Sequence, residues 1–414
     1  MRYGHNFYYQ NQDGIMQSKT FCILPWIHIY ANPDGSVLPC CIGHHHQHMG
    51  NVQHNTVEEI FNNEKYKSMR VNMLEGKQCD ECTACYQLEN NGIKSLRQSK
   101  NEEFSRFNSI VDQTNNDGSL NKIDFKYFDL RWSNICNFKC RTCSSTYSSS
   151  WAIEDNAVAG TKKKVFIFAG GDSNDDLYNQ FLPYFSGIEE FYFAGGEPLL
   201  TDKHYDILEY LISIGKTDVK LSYNTNLSNL TYKNKSILEL WQQFSSVSVR
   251  ASLDSWRDRA EYIREGTDWK LIEQNILDIQ KVTPHVDLQI STVISVFNIA
   301  TLSDFLDYLF EKNLFKKDKF FPSFYNIQYP NYYSTSVIPN DIKQNIISKL
   351  SNVNYTPYID RQIKNAISYL ENSNFSIEDN KNFILETEKY DKVRNRKFAD
   401  IFPEIQQIVH ENIL

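Results

Sequence analysis

From about residue 123 onward, short runs rich in β-branched and aromatic residues alternate with stretches of helical period. The extended runs are DFKYFDLRW, EEFYFAG, VKLSYNT, VSVRASL, VDLQISTVI and SFYNIQY. Between them lie DKHYDILEYLIS and the stretch after Ala300, where Leu302, Phe305, Leu306 and Leu309 recur at helical spacing. Strand and helix in alternation predict right-handed βαβ units and a parallel sheet. Six such strands predict a partial or full (β/α) barrel, with reactive groups on the loops at the C-terminal ends of its strands. From about 340 to 414, apolar positions separated by Asp, Glu and Lys predict a helical extension packed on the barrel. The first hundred residues differ. IHIYANPDGSVLPCC reads as a hairpin, with Pro33, Asp34 and Gly35 at its turn. The polar stretch from 101 to 122, broken by Asn, Asp and Gly, reads as a linker with about one helical turn. The expected organisation is therefore an N-terminal module over 1–100, a linker over 101–122, an α/β core over 123–339 and a helical extension over 340–414.

Composition narrows the picture. With 414 residues and 41% apolar content, the chain can build one large core and a smaller one. No window offers the roughly 18 uninterrupted apolar residues of a membrane helix. The opening MRYGHNFYYQNQDG also lacks the order of a secretory signal. The expectation is a soluble, cytoplasmic protein. A net charge of -8, spread along the chain, argues against a dedicated DNA partner. All nine cysteines fall between Cys22 and Cys143 in short steps, a pattern of metal or redox chemistry and not of a disulfide framework.

The stretch CNFKCRTC places Cys136, Cys140 and Cys143 directly after the first core strand. Thiolates are the usual ligands of iron-sulfur clusters, and a four-iron cubane needs four external ligands. Three cysteines on one loop leave one iron open to another molecule. A structural zinc would want a fourth Cys or His nearby, and none is apparent. Together with AGGEP, Ala194 to Pro198, at the end of the second strand, this loop resembles the radical S-adenosylmethionine (SAM) superfamily. The resemblance implies a partial (β/α)6 barrel, in which SAM chelates the open iron through its amino and carboxylate groups. It also implies that an electron from the cluster cleaves SAM to methionine and a 5′-deoxyadenosyl radical, which takes a hydrogen atom from the substrate. Gly195 and Gly196 would let backbone approach the ligand, and Glu197 would accept from the SAM amino group. YNTNL resembles the family's third-strand loop, assigning Thr225 and Asn226 to SAM, with Leu227 where a glycine is common. Ser252 and Arg264 match the fourth-strand Ser-x-Asp stretch and its following arginine, for the SAM carboxylate or ribose. The family often has an aromatic residue before the third cysteine. Here it is Thr142, so Phe138 or the loop after VDLQISTVI is expected to meet the adenine.

Cys22, Gly35 and Cys40, followed by CDECTACYQLE with Cys79, Cys82 and Cys85, resemble the twitch or SPASM module that houses auxiliary clusters in this family. Pro25-Trp26, PCC at Pro39 to Cys41, Gly50-Asn51 and the C-x-x-C-Y-x-x-E ending in Glu89 belong to the same match. The resemblance implies a small α+β iron-sulfur domain, placed before the barrel, with one auxiliary [4Fe-4S] held by Cys22, Cys40, Cys82 and Cys85. Cys41 and Cys79 are then spare. In HHHQH, His44 to His48, three consecutive side chains cannot converge on one ion, so exposed loop histidines are expected.

The resemblance thus implies an enzyme of oxidoreductase type that uses SAM and two [4Fe-4S] clusters on a peptide or small-molecule substrate, fed by a reduced flavodoxin or ferredoxin. Within the family, a sugar- or aminocyclitol-like dehydrogenase or epimerase is the alternative. A SAM-binding iron-sulfur sensor without catalysis is the alternative of another class.

Overall fold

The computed structural model describes residues 18–43, 47–162 and 174–409. It divides into two compact units, one from the described residues of Met1–Trp132, Phe168–Phe193 and Tyr210–Val219, the other from those of Ser133–Ile167, Ala194–Glu209 and Lys220–Leu414.

In the first unit the expected hairpin forms. β1 (His28–Ala31) and β2 (Ser36–Leu38) pair antiparallel, and the two-residue strand Gly50–Asn51 extends β2. Gly35, at φ 80°, turns the chain between them, and Asp34 accepts from the Ser36 amide at 3.0 Å. The hairpin is not a separate body. β1 runs parallel to β3 (Tyr127–Leu130), the first core strand, with Tyr30 opposite Asp129. β3 in turn runs parallel to β4 (Glu190–Phe193). Alternation along these strands sorts the side chains by face. Phe128 and Phe191 meet Phe181 and Phe185 in edge-to-face contacts with centroids 5.1 to 6.1 Å apart. On the other face Glu190 binds Lys100 at 3.1 Å, and that ammonium lies 4.1 Å from the Tyr127 ring. Among its helices are α1 (Glu64–Leu74), α2 (Thr83–Asn90) and α3 (Leu96–Glu103). Asn63 caps α1 by accepting from the amides of Lys65 and Tyr66, and Ser95 with Gln98 forms a capping box on α3.

The expected linker at 101–122 is instead built structure. A 3-10 helix spans Ser105–Gln113, Thr114 and Leu120 form a β-bridge, and Phe104, Ile110, Val111 and Leu120 are buried. Its polar residues are used internally. Asn101 accepts from the Ile23 amide at 2.8 Å and donates to the Phe21 carbonyl, and Thr114 accepts from the Trp26 indole. β1 is hydrogen-bonded to a strand a hundred residues later, so the residues before and after this stretch share one sheet.

In the second unit, helix α4 (Ser149–Ala159) follows the cysteine loop, and α5 (Asp202–Ser213), whose residues from Tyr210 on are assigned to the first unit, matches the predicted DKHYDILEYLIS. Four parallel strands follow: β5 (Lys220–Thr225), β6 (Ser246–Ser252), β7 (Asp287–Ile294) and β8 (Ser323–Asn326). Helix α6 (Trp269–Val282) and helix α7 (Leu302–Glu311) alternate with them. The α7 apolar stripe, Leu302, Phe305, Leu306 and Leu309, is at most 1% exposed. Burying each of these gains about 1.5–3 kcal/mol. All six predicted strands therefore exist, and every pairing described above between core strands is parallel, giving an α/β fold. The C-terminal region forms α8 (Asn340–Ser351), α9 (Pro357–Asn372) and α10 (Ile377–Arg394). Its core is aromatic: Phe297 lies 4.9 Å from Tyr333 and 5.9 Å from both Phe383 and Phe402. In the tyrosine-rich loop after β8, Tyr333 belongs to this core while Tyr329 is 83% exposed. Among the described residues no helix is long and apolar enough to cross a membrane.

Candidate functional site

The loop Cys136–Cys143 is fixed by the start of α4. Ser148 Oγ donates to the Phe138 carbonyl at 2.6 Å, Ser150 Oγ to that of Cys136 at 2.7 Å, and Trp151 Nε1 to that of Cys140 at 2.7 Å. Lys139–Cys140 also pairs antiparallel with Arg264–Glu265. With its carbonyls taken, the loop is left to present sulfur. The Phe138 amide donates to Cys136 Sγ at 3.4 Å and Arg264 Nη1 to Cys140 Sγ at 3.6 Å, while Arg264 Nε holds Asp254 at 2.8 Å. Burial pushes the Cys143 thiol up to about 12, and the Cys140 thiol adds to the shift. Burial likewise raises Cys136, followed by Cys140, Glu197 and then Cys143. The three thiols therefore sit within one another's fields.

The glycines before Glu197 are required. Gly195 has φ 115°, and a Cβ on Gly196 would lie 2.2 Å from the Ile135 carbonyl oxygen. The Gly196 amide donates to Ser133 and that of Glu197 to Ile135, stitching this turn to the chain entering the cysteine loop. Glu197, expected as acceptor for a SAM amine, is also bonded within the chain. Its carboxylate is 1% exposed and already accepts from Thr225 Oγ1 at 2.7 Å, the Asn226 amide at 2.7 Å and the Leu199 amide at 3.0 Å. Three of about four acceptor positions are filled from its own chain. Glu197 fastens the loop after β5, and burial, opposed by those three bonds, pushes its carboxyl up to about 7. Asn226 donates to Asn137 Oδ1 at 2.9 Å and has Nδ2 4.0 Å from Cys136 Sγ. Leu227 adopts φ 59°, the left-handed conformation that explains the glycine expected there.

Phe138, expected near the adenine, is buried. Its ring is 1% exposed and packs against Gly266, in the interior of the loop. Ser252 stands half-buried at the end of β6, opposite Ser291. Arg264 is committed to Asp254 and Cys140.

Sequence reasoning missed the part played by α10. Arg141, between two of the loop cysteines, is buried against Asp391, which also accepts from Tyr262 Oη and the Phe398 amide, both at 2.6 Å. One turn on, Arg394 binds Glu154 of α4 through Nε at 3.1 Å and Nη2 at 2.7 Å, and donates to the Lys139 carbonyl at 2.9 Å. Both clamps span some 240 residues of sequence, and no local pattern announces them.

In the first unit the six remaining cysteines separate by their surroundings. Cys82 is raised by burial and then by Cys22, Cys40, Cys79 and Cys85. Burial pushes Cys22 up to about 12, with Cys85 and Cys79 adding to it, and Cys40 registers Cys41, Cys22 and Cys85. Cys22, Cys40, Cys82 and Cys85 are thus mutual neighbours. Cys79 stands at their edge, its thiol donating to the Met69 carbonyl at 3.7 Å. Cys41, exposed as a residue, is pushed up to about 11 by burial and next by Asp129, with Arg131 and Lys100 opposing. Its thiol belongs with the β3 charges as well as with its neighbour. Glu89 of C-Y-x-x-E binds Arg97 through two bonds of 2.6 and 2.9 Å, and Arg97 donates to the Phe21 carbonyl, which positions the Cys22 turn. Of HHHQH, His44, His45 and His46 lie outside the described residues, and His48 is exposed with its carbonyl accepting from Lys65.

A family model described as the radical SAM superfamily matches residues 130–310, and one described as SPASM, an iron-sulfur cluster-binding domain, matches residues 22–86. The chain carries a radical SAM domain. A SPASM domain precedes it; the radical SAM domain implies SAM with a [4Fe-4S] cluster, and the SPASM domain implies auxiliary iron-sulfur clusters. A GTP 3′,8-cyclase of Campylobacter curvus is 28% identical over 100 residues, 24% of this chain and 27% of that protein, so the chain spans about a quarter of the curated relative it matches. Among solved structures, native anSMEcpe with bound AdoMet aligns over 64% of this chain and 60% of its own at 17% identity and TM-score 0.35. Streptococcus suis SuiB bound to precursor peptide SuiA aligns over 84% of this chain and 66% of its own at 13% identity and TM-score 0.34.

The residues fit these groups. Among the described residues no three His, Cys, Asp or Glu side chains converge on a single metal ion. A radical SAM cluster asks for something else, because each thiolate binds a different iron. Thiols crowded until burial and mutual repulsion raise them are the donor set that a positively charged iron-sulfur core would neutralise.

Proposed function

We propose that this is a radical SAM enzyme of oxidoreductase type acting on a peptide or small molecule. In this reading Cys136, Cys140 and Cys143 hold the SAM-binding cluster, and Cys22, Cys40, Cys82 and Cys85 hold one auxiliary [4Fe-4S]. The observation that carries it is the three-thiol loop: three sulfurs share one neighbourhood, and the second unit's sequence contains no fourth cysteine to close the set. When bound, the cluster supplies one electron to cleave SAM and generate the radical that abstracts hydrogen from the substrate. The chain's own contribution is placement. Arg264 donates to Cys140 and is itself held by Asp254, so a positive charge stands beside one thiolate. Glu197 keeps Thr225 and Asn226 in place, and Gly196 lets the turn close against the Ile135 carbonyl. Thr225, Asn226 and Ser252 are the polar groups assigned to SAM. Four thiolates close the auxiliary set, which favours electron transfer there over ligand binding. A reduced flavodoxin or ferredoxin is the implied electron source.

Reconstituted protein with SAM and dithionite is expected to release 5′-deoxyadenosine and to carry about eight irons per chain, as two four-iron clusters require. No nucleoside above a Cys136→Ala control, or about four irons, overturns the respective half of the reading.

A further inference from the structure

Arg264 and Cys140 stand directly opposite each other where Lys139–Cys140 pairs with Arg264–Glu265. Opposite residues of an antiparallel pair carry their side chains on one face. The register is held by a further bond, from the Arg141 amide to the Ile263 carbonyl at 2.8 Å. Gly266, at φ 108°, lets the second strand lie close to the cysteine loop, since a Cβ there would stand 2.8 Å from the Asn137 carbonyl oxygen. The outcome is a contact with sulfur: Arg264 Nη1 donates to Cys140 Sγ at 3.6 Å. The guanidinium is kept from swinging away, because its Nε donates to Asp254 at 2.8 Å and both side chains are largely buried. Asp254 is fixed in turn. Its carboxylate accepts from the Val293 amide of β7 at 2.9 Å, and its carbonyl from Asn298 Nδ2 at 3.1 Å. Register, carboxylate and amide together aim one cation at one sulfur.

The three sulfurs of the loop are treated unequally. Cys136 Sγ takes neutral donors, the Phe138 amide at 3.4 Å and Asn226 Nδ2 at 4.0 Å, and the Cys143 thiol donates to the Ser144 carbonyl at 3.7 Å. Cys140 Sγ takes a charged donor. Burial raises the Cys140 thiol, and Arg264 is the group that opposes burial most. A donor on a ligating sulfur withdraws charge from an iron-sulfur core, and a fixed cation favours the more negative, reduced state. We propose that Arg264 acts on the SAM-binding cluster itself, through Cys140 Sγ, and raises its reduction potential. The inference rests on the three-cysteine reading above. Reduction moves one electron from the flavodoxin or ferredoxin to the cluster, while Arg264 keeps its proton and no bond is made or broken. Asp254 is the positioning residue that holds the guanidinium to this task. The role differs from one at the SAM carboxylate or ribose, because it operates with no SAM present.

The test is an EPR-monitored dithionite titration of the full, reconstituted chain without SAM. The SAM-binding cluster is the signal missing from a Cys136→Ala control, and a control that loses no signal overturns the three-cysteine reading and the inference together. Arg264→Gln is expected to weaken electron uptake at least tenfold, a midpoint about 59 mV more negative. Arg264→Lys, which keeps the charge and loses the planar fork, is expected to recover at least half of that shift. A residue that served SAM alone, or packing alone, would change SAM affinity or the melting temperature and leave the SAM-free midpoint in place. A shift below twofold, about 18 mV, in Arg264→Gln with its iron retained overturns the inference and leaves the three-cysteine reading standing. If Arg264→Gln loses its iron, the unsubstituted chain decides. With isotopically labelled nitrogen confined to arginine guanidinium groups, the reduced SAM-binding cluster is expected to show a labelled-nitrogen coupling in pulsed EPR that Arg264→Lys removes. No coupling, or one that Arg264→Lys leaves unchanged, overturns the inference.

Discussion

Replacing Asp391 by Ala removes one carboxylate that serves three donors: Arg141, Tyr262 Oη and the Phe398 amide. Arg141 is the costly one, since its side chain is fully buried 4.0 Å from the Tyr262 ring and no water can replace the lost charge. Breaking a buried pair from one side costs about 3–5 kcal/mol. With unfolding entropy near 2.1 cal/mol/K per residue, 414 residues give about 0.9 kcal/mol/K, so the melting temperature of the cluster-free chain should fall by about 3–6 °C. The same change frees the segment between Cys140 and Cys143, so iron should be lost faster to a chelator. Arg141→Met combined with Asp391→Leu removes both charges and should cost less than Asp391→Ala alone, because no ion is left unpaired. Calorimetry on the parent, the single variants Arg141→Met and Asp391→Leu, and the double variant measures the coupling. A single variant melting within about 1 °C of the parent, or a double variant worse than the sum of the singles, would refute the clamp.

Glu197 gives a pH prediction. Its carboxyl is raised in the folded chain from 4.5 to about 7, so the stability that protonation contributes is present below 4.5 and lost as pH rises through 7. Relative to Glu197→Gln, the parent should lose about 3 kcal/mol between pH 4.5 and 7.5, read from paired urea titrations, and a difference independent of pH would contradict the assignment. At Leu227, a glycine would relieve about 1–2 kcal/mol of left-handed strain but forfeit a fully buried side chain. Leu227→Gly should therefore destabilise by about 1–3 kcal/mol in denaturant unfolding, and a stabilised variant would show that strain outweighs packing there.

Much of the α/β core was legible because its strands carry β-branched and aromatic residues in runs bounded by turns, and because Leu302, Phe305, Leu306 and Leu309 keep a strict helical period. The cysteine loop was legible for a related reason: ligands on one loop must be close in sequence. What escaped was set by distant partners. That Glu197 fastens Thr225 and Asn226, and that Phe138 packs against Gly266, follows only once distant segments are brought together. Asp391 and Arg394 look like ordinary surface charges on a polar helix. Polar residues at 101–122 suggested a linker because composition cannot show that Asn101 and Thr114 bond buried partners. The pairing of β1 with β3 crosses about a hundred residues, beyond any periodicity argument.

That pairing bears on solubility as well as on architecture. A strand with one side unpaired offers a row of amides and carbonyls to any passing chain, the commonest seed of strand-to-strand aggregation. β1 occupies that side of β3 along its whole length, from His28 opposite Tyr127 to Ala31 opposite Leu130. The iron-sulfur module is therefore also a cover for a sticky edge. Removing residues 1–100 to obtain a single-cluster enzyme would bare Tyr127–Leu130, and the truncated chain should self-associate before its chemistry could be assayed.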